Sequence, residues 1–147
     1  MRTKSLFSTD DSRPALQVTR DALSGKNIVY IAKANKAIKY GNRYSKIAYI
    51  GQTTTGITRI AQSAATRAKE ILDLHGFKHL DFFIIRPTPK RKVRTWALLE
   101  KDLLITFQMC YGQIPIGNTQ GSKLSFNDMS GLFPVEKLKK IIEKYSS

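Results

Sequence analysis

The sequence predicts a small α+β domain in which a three-stranded, mostly antiparallel sheet is flanked by helices in the order β-β-α-β-α-α. Three observations predict it. Two β-branched apolar runs, around Ile28-Val29-Tyr30 and Tyr49-Ile50-Gly51, are separated by the turn residues Tyr40-Gly41-Asn42. A long stretch with an alanine stripe at helical spacing follows them. A third apolar run then leads into a second long helical pattern.

The elements follow in order. Residues 1–25 are polar, with a helix-like piece from Arg13 or Pro14 to Ala22 that ends at Gly25; this segment reads as an arm or leading helix, and residues 26–147 as the domain proper. Asn27 to Ala34 is a strand and Lys46 to Gln52 a second, joined as an antiparallel hairpin with a basic insertion between them. Thr53-Thr54-Thr55-Gly56 offers hydroxyls to cap the next helix. That helix, to about Leu74, carries Ile57, Ile60, Ala61, Ala64, Ala65, Ala68, Ile71 and Leu72 on one face, and His75-Gly76 stops it. Leu80 to Arg86 is the third strand, ended by Pro87. Thr88-Pro89 has the form of an N-cap and first helical residue, which starts the next helix there and carries it to about Tyr111. Gly112 to Gly121 is loop, and Pro134 to Tyr145 closes the chain as a helix with Val135, Leu138, Ile141 and Ile142 inward.

A length of 147 residues fits one domain, and 41% hydrophobic with 24% charged residues is ordinary globular composition. No run is long enough to span a membrane. Met1 to Ser5 leads into no apolar stretch, which argues against a signal peptide. The single cysteine, Cys110, can form no internal disulfide and reads as a small core residue, which fits a reducing cytoplasm. Charge is the strong compositional fact: 25 Lys plus Arg against 11 Asp plus Glu give +14. A polyanionic partner follows, and nucleic acid is the commonest. Two clusters concentrate the charge. Lys33, Lys36, Lys39, Arg43 and Lys46 crowd the hairpin, interleaved with Tyr40 and Tyr44. Lys90, Arg91, Lys92 and Arg94 fall in the expected first turn of the second long helix, where cations oppose the helix dipole, so phosphate contact is the simplest purpose. Lys36, Lys39, Arg43, Lys46, Lys90, Arg91, Lys92 and Arg94 are the candidate nucleic-acid contacts. A solvated basic face is the plain alternative for either cluster.

Glu100 carries the most chemical information. On a helical wheel at about 100° per residue, with Trp96 as origin, Leu103, Phe107 and Cys110 lie to one side of it and Leu104 and Tyr111 to the other. Lys101, Asp102 and Gln108 point elsewhere. A carboxylate in an apolar arc needs a cation or strong donors, because burying it unpaired costs several kcal/mol on a rough scale or forces protonation. A structural salt bridge and a divalent-metal site both answer that need. Tyr30 and Tyr49 share a face with Ile28 and Ile47 on their respective strands, and cross-strand neighbours can bring the two phenols together.

Taken as an ordered set, Ile28-Val29-Tyr30, Tyr49-Ile50-Gly51, Arg59, Glu100 and Asn118 resemble the GIY-YIG nuclease family over about Lys26 to Asn118, with Ile28 in place of the first motif's glycine. The element order is also that family's layout. The resemblance implies a metal-dependent endonuclease that hydrolyses phosphodiester bonds, in DNA rather than RNA. It implies one Mg²⁺ or Mn²⁺ per site, held by Glu100. It gives Tyr30 the role of general base, either ionised by nearby cations or relaying a proton while water ionises on the metal, with Tyr49 in support. Arg59 then grips a phosphate oxygen, with Arg67 as the alternative, and Asn118 orients the site, with Gln120 its rival. Members often have a histidine one turn after the arginine; here that position is Ser63. Without the extra domains of homing and repair enzymes, the chain resembles a stand-alone restriction, phage-defence or mobile-element nuclease. Cutting both strands from one site per chain is simplest for a symmetric pair, so a homodimer is allowed. HNH, PD-(D/E)xK, phosphate-loop and zinc patterns do not fit. Two other classes stand beside the enzyme: a catalytically inactive nucleic-acid-binding module of the same fold, and a basic ribosomal or RNA-processing protein, for which no aromatic RNA-binding signature is present.

Overall fold

A computed structural model of the chain describes residues 6, 8, 14–24, 26–119 and 124–147. Its elements are α1 (Arg20–Ser24), β1 (Ile28–Tyr40), β2 (Arg43–Thr53), α2 (Ile57–His75), β3 (Leu80–Ile85), α3 (Thr95–Tyr111), a 3₁₀ turn (Phe126–Asp128) and α4 (Val135–Ser146). The sheet is antiparallel with strand order β2-β1-β3, so β1 is paired on both sides. After the short α1 the order is β-β-α-β-α-α, as expected. No helix among the described residues is long and apolar enough to cross a membrane.

Both hairpin strands are longer than their apolar runs. They extend to a two-residue turn, with Tyr40 paired to Arg43 and Gly41 supplying the positive φ (59°) that a primed hairpin turn requires. The expected basic insertion is therefore strand. What is inserted is a bulge in β1. Between the Lys33–Ile47 and Ile38–Ser45 pairs, β1 advances further than β2, and the register shifts there. Tyr40 fastens the far end: its hydroxyl donates to the Ile47 carbonyl (2.7 Å) and accepts from the Ile116 N–H (3.1 Å), while its ring packs on Phe107 and Tyr111.

Helix α2 begins one residue after Gly56 and ends at Gly76. The threonine hydroxyls do not cap it; Thr53 Oγ1 instead accepts the Thr55 N–H (3.0 Å). Ile60, Ser63 and Ile71 are buried, whereas Ala61 and Ala65 are exposed, so the inward seam is rotated from the expected stripe. Helix α3 starts at Thr95, not at Thr88-Pro89. Lys90 bridges back to Val93 and Lys92 has φ 59°, so the cationic segment is a turn ahead of the helix and the dipole argument does not apply to it. Strand β3 ends at Ile85, one residue before the expected Arg86. Of the expected leading helix only Arg20–Ser24 is helical, capped where Thr19 Oγ1 accepts the Ala22 N–H (3.3 Å); Arg13 and Gly25 lie outside the described residues.

The core lies where α3 and α4 cover β1 and β2, built from Val29, Ile31, Ile50, Leu99, Leu103, Phe107, Leu138 and Ile142 among others. Asp102, expected to point elsewhere, is fully buried, and its carboxylate accepts the backbone N–H (3.0 Å) and hydroxyl (2.5 Å) of Ser130. This ties down the segment after the 3₁₀ turn, which Ser125 and Asp128 close as a capping box.

Tyr40→Phe should cost about 1–3 kcal/mol, because it strands one buried carbonyl and one N–H at once. Urea denaturation of the two proteins measures it.

Candidate active site

The strand register places the two motif tyrosines. Tyr30 lies opposite Gly51 and Tyr49 opposite Ala32, so each ring faces a small residue, and the rings meet diagonally with centroids 5.9 Å apart. Gly51 is a steric requirement: a Cβ there would stand 2.5 Å from Tyr30 Cζ, 2.6 Å from its hydroxyl and 2.8 Å from Tyr49 Cε1. Tyr30 is 1% exposed and Tyr49 9%. Behind Tyr30, Ser63 on α2 meets the phenol oxygen with its own hydroxyl at 2.6 Å. Burial pushes the Tyr30 phenol up to about 12; the Ser63 hydrogen bond pulls it down, the Tyr49 phenol raises it and the Arg59 charge lowers it. Burial wins, so Tyr30 is a poor phenolate at neutral pH.

Arg59, in the first turn of α2, is exposed. It borders a cleft of about 240 Å³ together with Gln52, Thr53, Thr54, Thr55 and Arg94. Two guanidinium groups, three hydroxyls and an amide, with no acid, make a surface suited to a phosphate. Arg67 is placed differently: its guanidinium lies 5.7 Å over the Tyr49 ring and pairs with Glu70 at 3.3 Å.

Asn118 serves the edge of the sheet. Its Oδ1 accepts the Ile50 N–H (3.0 Å), its Nδ2 donates to the Ile50 carbonyl (2.8 Å), and the Gly117 N–H donates to the Ala48 carbonyl (2.8 Å). The loop thus acts as a one-residue strand that fixes β2 on both sides of Tyr49. Gln120 lies outside the described residues.

Glu100 is partly buried in α3, and burial alone pushes its carboxyl up to about 7. No hydrogen bond or ion pair among the described residues reaches it. One turn earlier, Trp96 lies beneath the Arg94 guanidinium (5.7 Å), and its buried Nε1 has no partner among the described residues. Arg94 therefore connects the Glu100 helix to the cleft. A lone carboxylate without a cation fits a divalent ion completed by phosphate and water, and no group of three or more His, Cys, Asp or Glu among the described residues offers a fuller cage.

The described contacts thus unite Tyr30, Tyr49 and Ser63, bring Arg59 into electrostatic reach of Tyr30, and hold Asn118 on Ile50, next to Tyr49. None joins Glu100 to either tyrosine. Lys90, Arg91 and Lys92 lie in the turn ahead of α3, and of that cluster Arg94 lines the cleft. The hairpin cluster is elsewhere. The 11 residues of β2, at about 3.3 Å each, separate its turn from Thr53 by on the order of 30 Å. There Lys36 lies 5.7 Å from the Phe77 ring centre, and Arg43 donates to the Cys110 carbonyl (3.0 Å) across the Tyr111 ring. Sequence reasoning did not assign Ser63, the cleft threonines or the Arg94–Trp96 stack to the site. Ser63 had one signal, a small polar residue one turn after Arg59 on an otherwise alanine-rich helix. No protein-family model, curated protein or solved structure matches the chain.

Gly51→Ala should destabilise the fold by about 1–3 kcal/mol through overpacking and alter the near-ultraviolet tyrosine dichroism, as both rings must shift. Glu100 predicts a pH effect of definite sign. Its folded pKa, about 7, is above the ordinary 4.5, so the wild type loses stability relative to Glu100→Gln as pH rises from 4.5 to about 7, then no further. The gap should reach on the order of 3 kcal/mol, read from denaturation curves of both proteins across that range.

Proposed function

We propose that this chain is a metal-dependent endonuclease of GIY-YIG type, acting on DNA in preference to RNA. The observation that carries the reading is the tyrosine pair locked over Gly51, with Arg59 at the cleft mouth. The Glu100 carboxyl, without a partner among the described residues, and the acid-free cleft support it, as does the net charge. Arg59 and Arg94 bind a phosphodiester through its anionic oxygens and offset charge that builds up during displacement. A water oxygen attacks phosphorus and one P–O ester bond breaks; the departing oxygen keeps that bond's electron pair and takes a proton from solvent, while the proton released by the attacking water passes through the phenol pair to solvent. Because burial disfavours a Tyr30 phenolate, Tyr30 acts as a hydrogen-bonded relay held by Ser63, beside the less buried Tyr49, and not as a pre-ionised base. When bound at Glu100, Mg²⁺ or Mn²⁺ supplies charge neutralisation at the phosphoryl group. A compact restriction, phage-defence or mobile-element enzyme is the setting this reading fits.

The raised Tyr30 pKa also favours a second reading, an inactive nucleic-acid-binding module of the same fold. Incubation with supercoiled plasmid decides between them. The nuclease reading expects nicking with Mg²⁺ and none in EDTA. Glu100→Gln should abolish cutting without lowering the melt, Arg59→Ala should abolish it while preserving the melt, and Tyr30→Phe should slow it by roughly 10²–10⁴-fold. Binding without nicking sinks the enzyme, and undiminished cutting in EDTA or by Glu100→Gln sinks the metal role of Glu100.

A further inference from the structure

The hairpin turn has an inner and an outer side. Tyr40 and Arg43, a cross-strand pair, both turn to α3: Tyr40 onto Phe107, and Arg43 onto Tyr111 and the Cys110 carbonyl. Ile38 and Ser45, the pair two residues along, are buried as well, with the Ser45 hydroxyl on that of Ser146 (2.7 Å). Alternation then sends the intervening pair, Lys39 and Tyr44, to the outer side, and Lys46 shares the side of Tyr44. Tyr44 is 60% exposed, in contrast to Tyr30, Tyr40 and Tyr49. Its cross-strand neighbour and its same-strand neighbour are both lysines, and the sequence has no acid between Asp21 and Glu70. An aromatic face standing free between two cations, on a hairpin bolted to the core from its other side, is a stacking platform.

We propose that this outer hairpin face binds single-stranded nucleic acid, with an unpaired base stacked on Tyr44 and the flanking phosphates on Lys39 and Lys46. Stacking needs an exposed base face, which a duplex hides in its own stack, so an unpaired segment is the occupant. The face is separated from the cleft by the length of β2. The substrate class is therefore nucleic acid with an unpaired stretch that reaches beyond the site of chemistry. The inference shares with the nuclease reading only the choice of nucleic acid as partner. Arg43, held on α3, belongs to the scaffold of this face.

The test is binding of the full chain in EDTA to a short oligo(dT) and to a blunt duplex, with Trp96 of the wild type as fluorescence background. Tyr44→Trp should add an emission that oligo(dT) quenches and the duplex does not. Tyr44→Ala should weaken oligo(dT) binding by about 5- to 100-fold and leave duplex binding within about twofold, while Tyr44→Phe keeps wild-type affinity. Wild-type affinity of Tyr44→Ala for oligo(dT) would overturn the proposal. So would an equal loss on the duplex, or displacement by polyglutamate without dependence on Tyr44. Cleavage plays no part in these measurements. A Tyr44 effect in a protein that never nicks plasmid therefore counts against the nuclease reading alone, and nicking without a Tyr44 effect counts against this one alone.

Discussion

Two phenol rings occupy one face of a hairpin because position 51 carries no side chain. Tyr30 and Tyr49 sit on different strands and reach across the register diagonally, and the space in which they meet is the space above Gly51. Once the rings are there, much else is constrained. Helix α2 must present a small polar residue to Tyr30, which Ser63 does, and Arg59 one turn earlier is left at the solvent side. Burying the pair also shapes its electrostatics: the same enclosure that orders Tyr30 makes its anion expensive.

The second constraint is the exposed edge of β2. An unpaired edge invites other strands, and native sheets cover or interrupt it. Here the loop from Ile116 to Asn118 does so with few atoms. Gly117 takes the Ala48 carbonyl, the Asn118 amide takes both polar groups of Ile50, and the Tyr40 hydroxyl in turn takes the Ile116 N–H. Gly117 must be glycine for this approach, since a Cβ would meet the Ala48 oxygen and Ile71 Cδ1 at 2.7 Å each. The loop thus joins the turn end of the hairpin, through Tyr40, to the site end, through Tyr49.

Much of this was legible in the residues. The strand pair, the third strand and the helices show in the periodicity, because burial of one face imposes it. The shared face of Tyr30 and Tyr49 follows from alternation. The strained environment of Glu100 follows from the wheel, and its raised pKa bears out that arc. The misreadings have local causes. The strands run further than their apolar runs because Lys39 and Lys46 lie on the outer side of the hairpin, where polar residues do not interrupt a strand. Thr88-Pro89 resembles a helix start, but two prolines and a left-handed Lys92 delay the helix to Thr95. The alanine stripe was rotated because a hydroxyl bound to Tyr30 was counted as polar and therefore outward. Asp102 was placed outside for the same reason, since its partner, Ser130, is far along the chain. Periodicity reads hydrophobicity and is blind to such long-range hydrogen bonds.

The bulge in β1 separates two jobs within one strand. Up to Ala32 β1 keeps step with both neighbours, and the two pairings that set the tyrosines, Tyr30 with Gly51 and Ala32 with Tyr49, lie in that stretch. The surplus residues are absorbed before Ile38, after which β1 pairs with β2 alone. The outer hairpin is thereby uncoupled in register from the inner sheet. Residues can be gained or lost at the bulge without moving Tyr30 off Gly51 or Tyr49 off Ala32. The outer surface of the far hairpin is thus free to diverge while the inner sheet stays as it is.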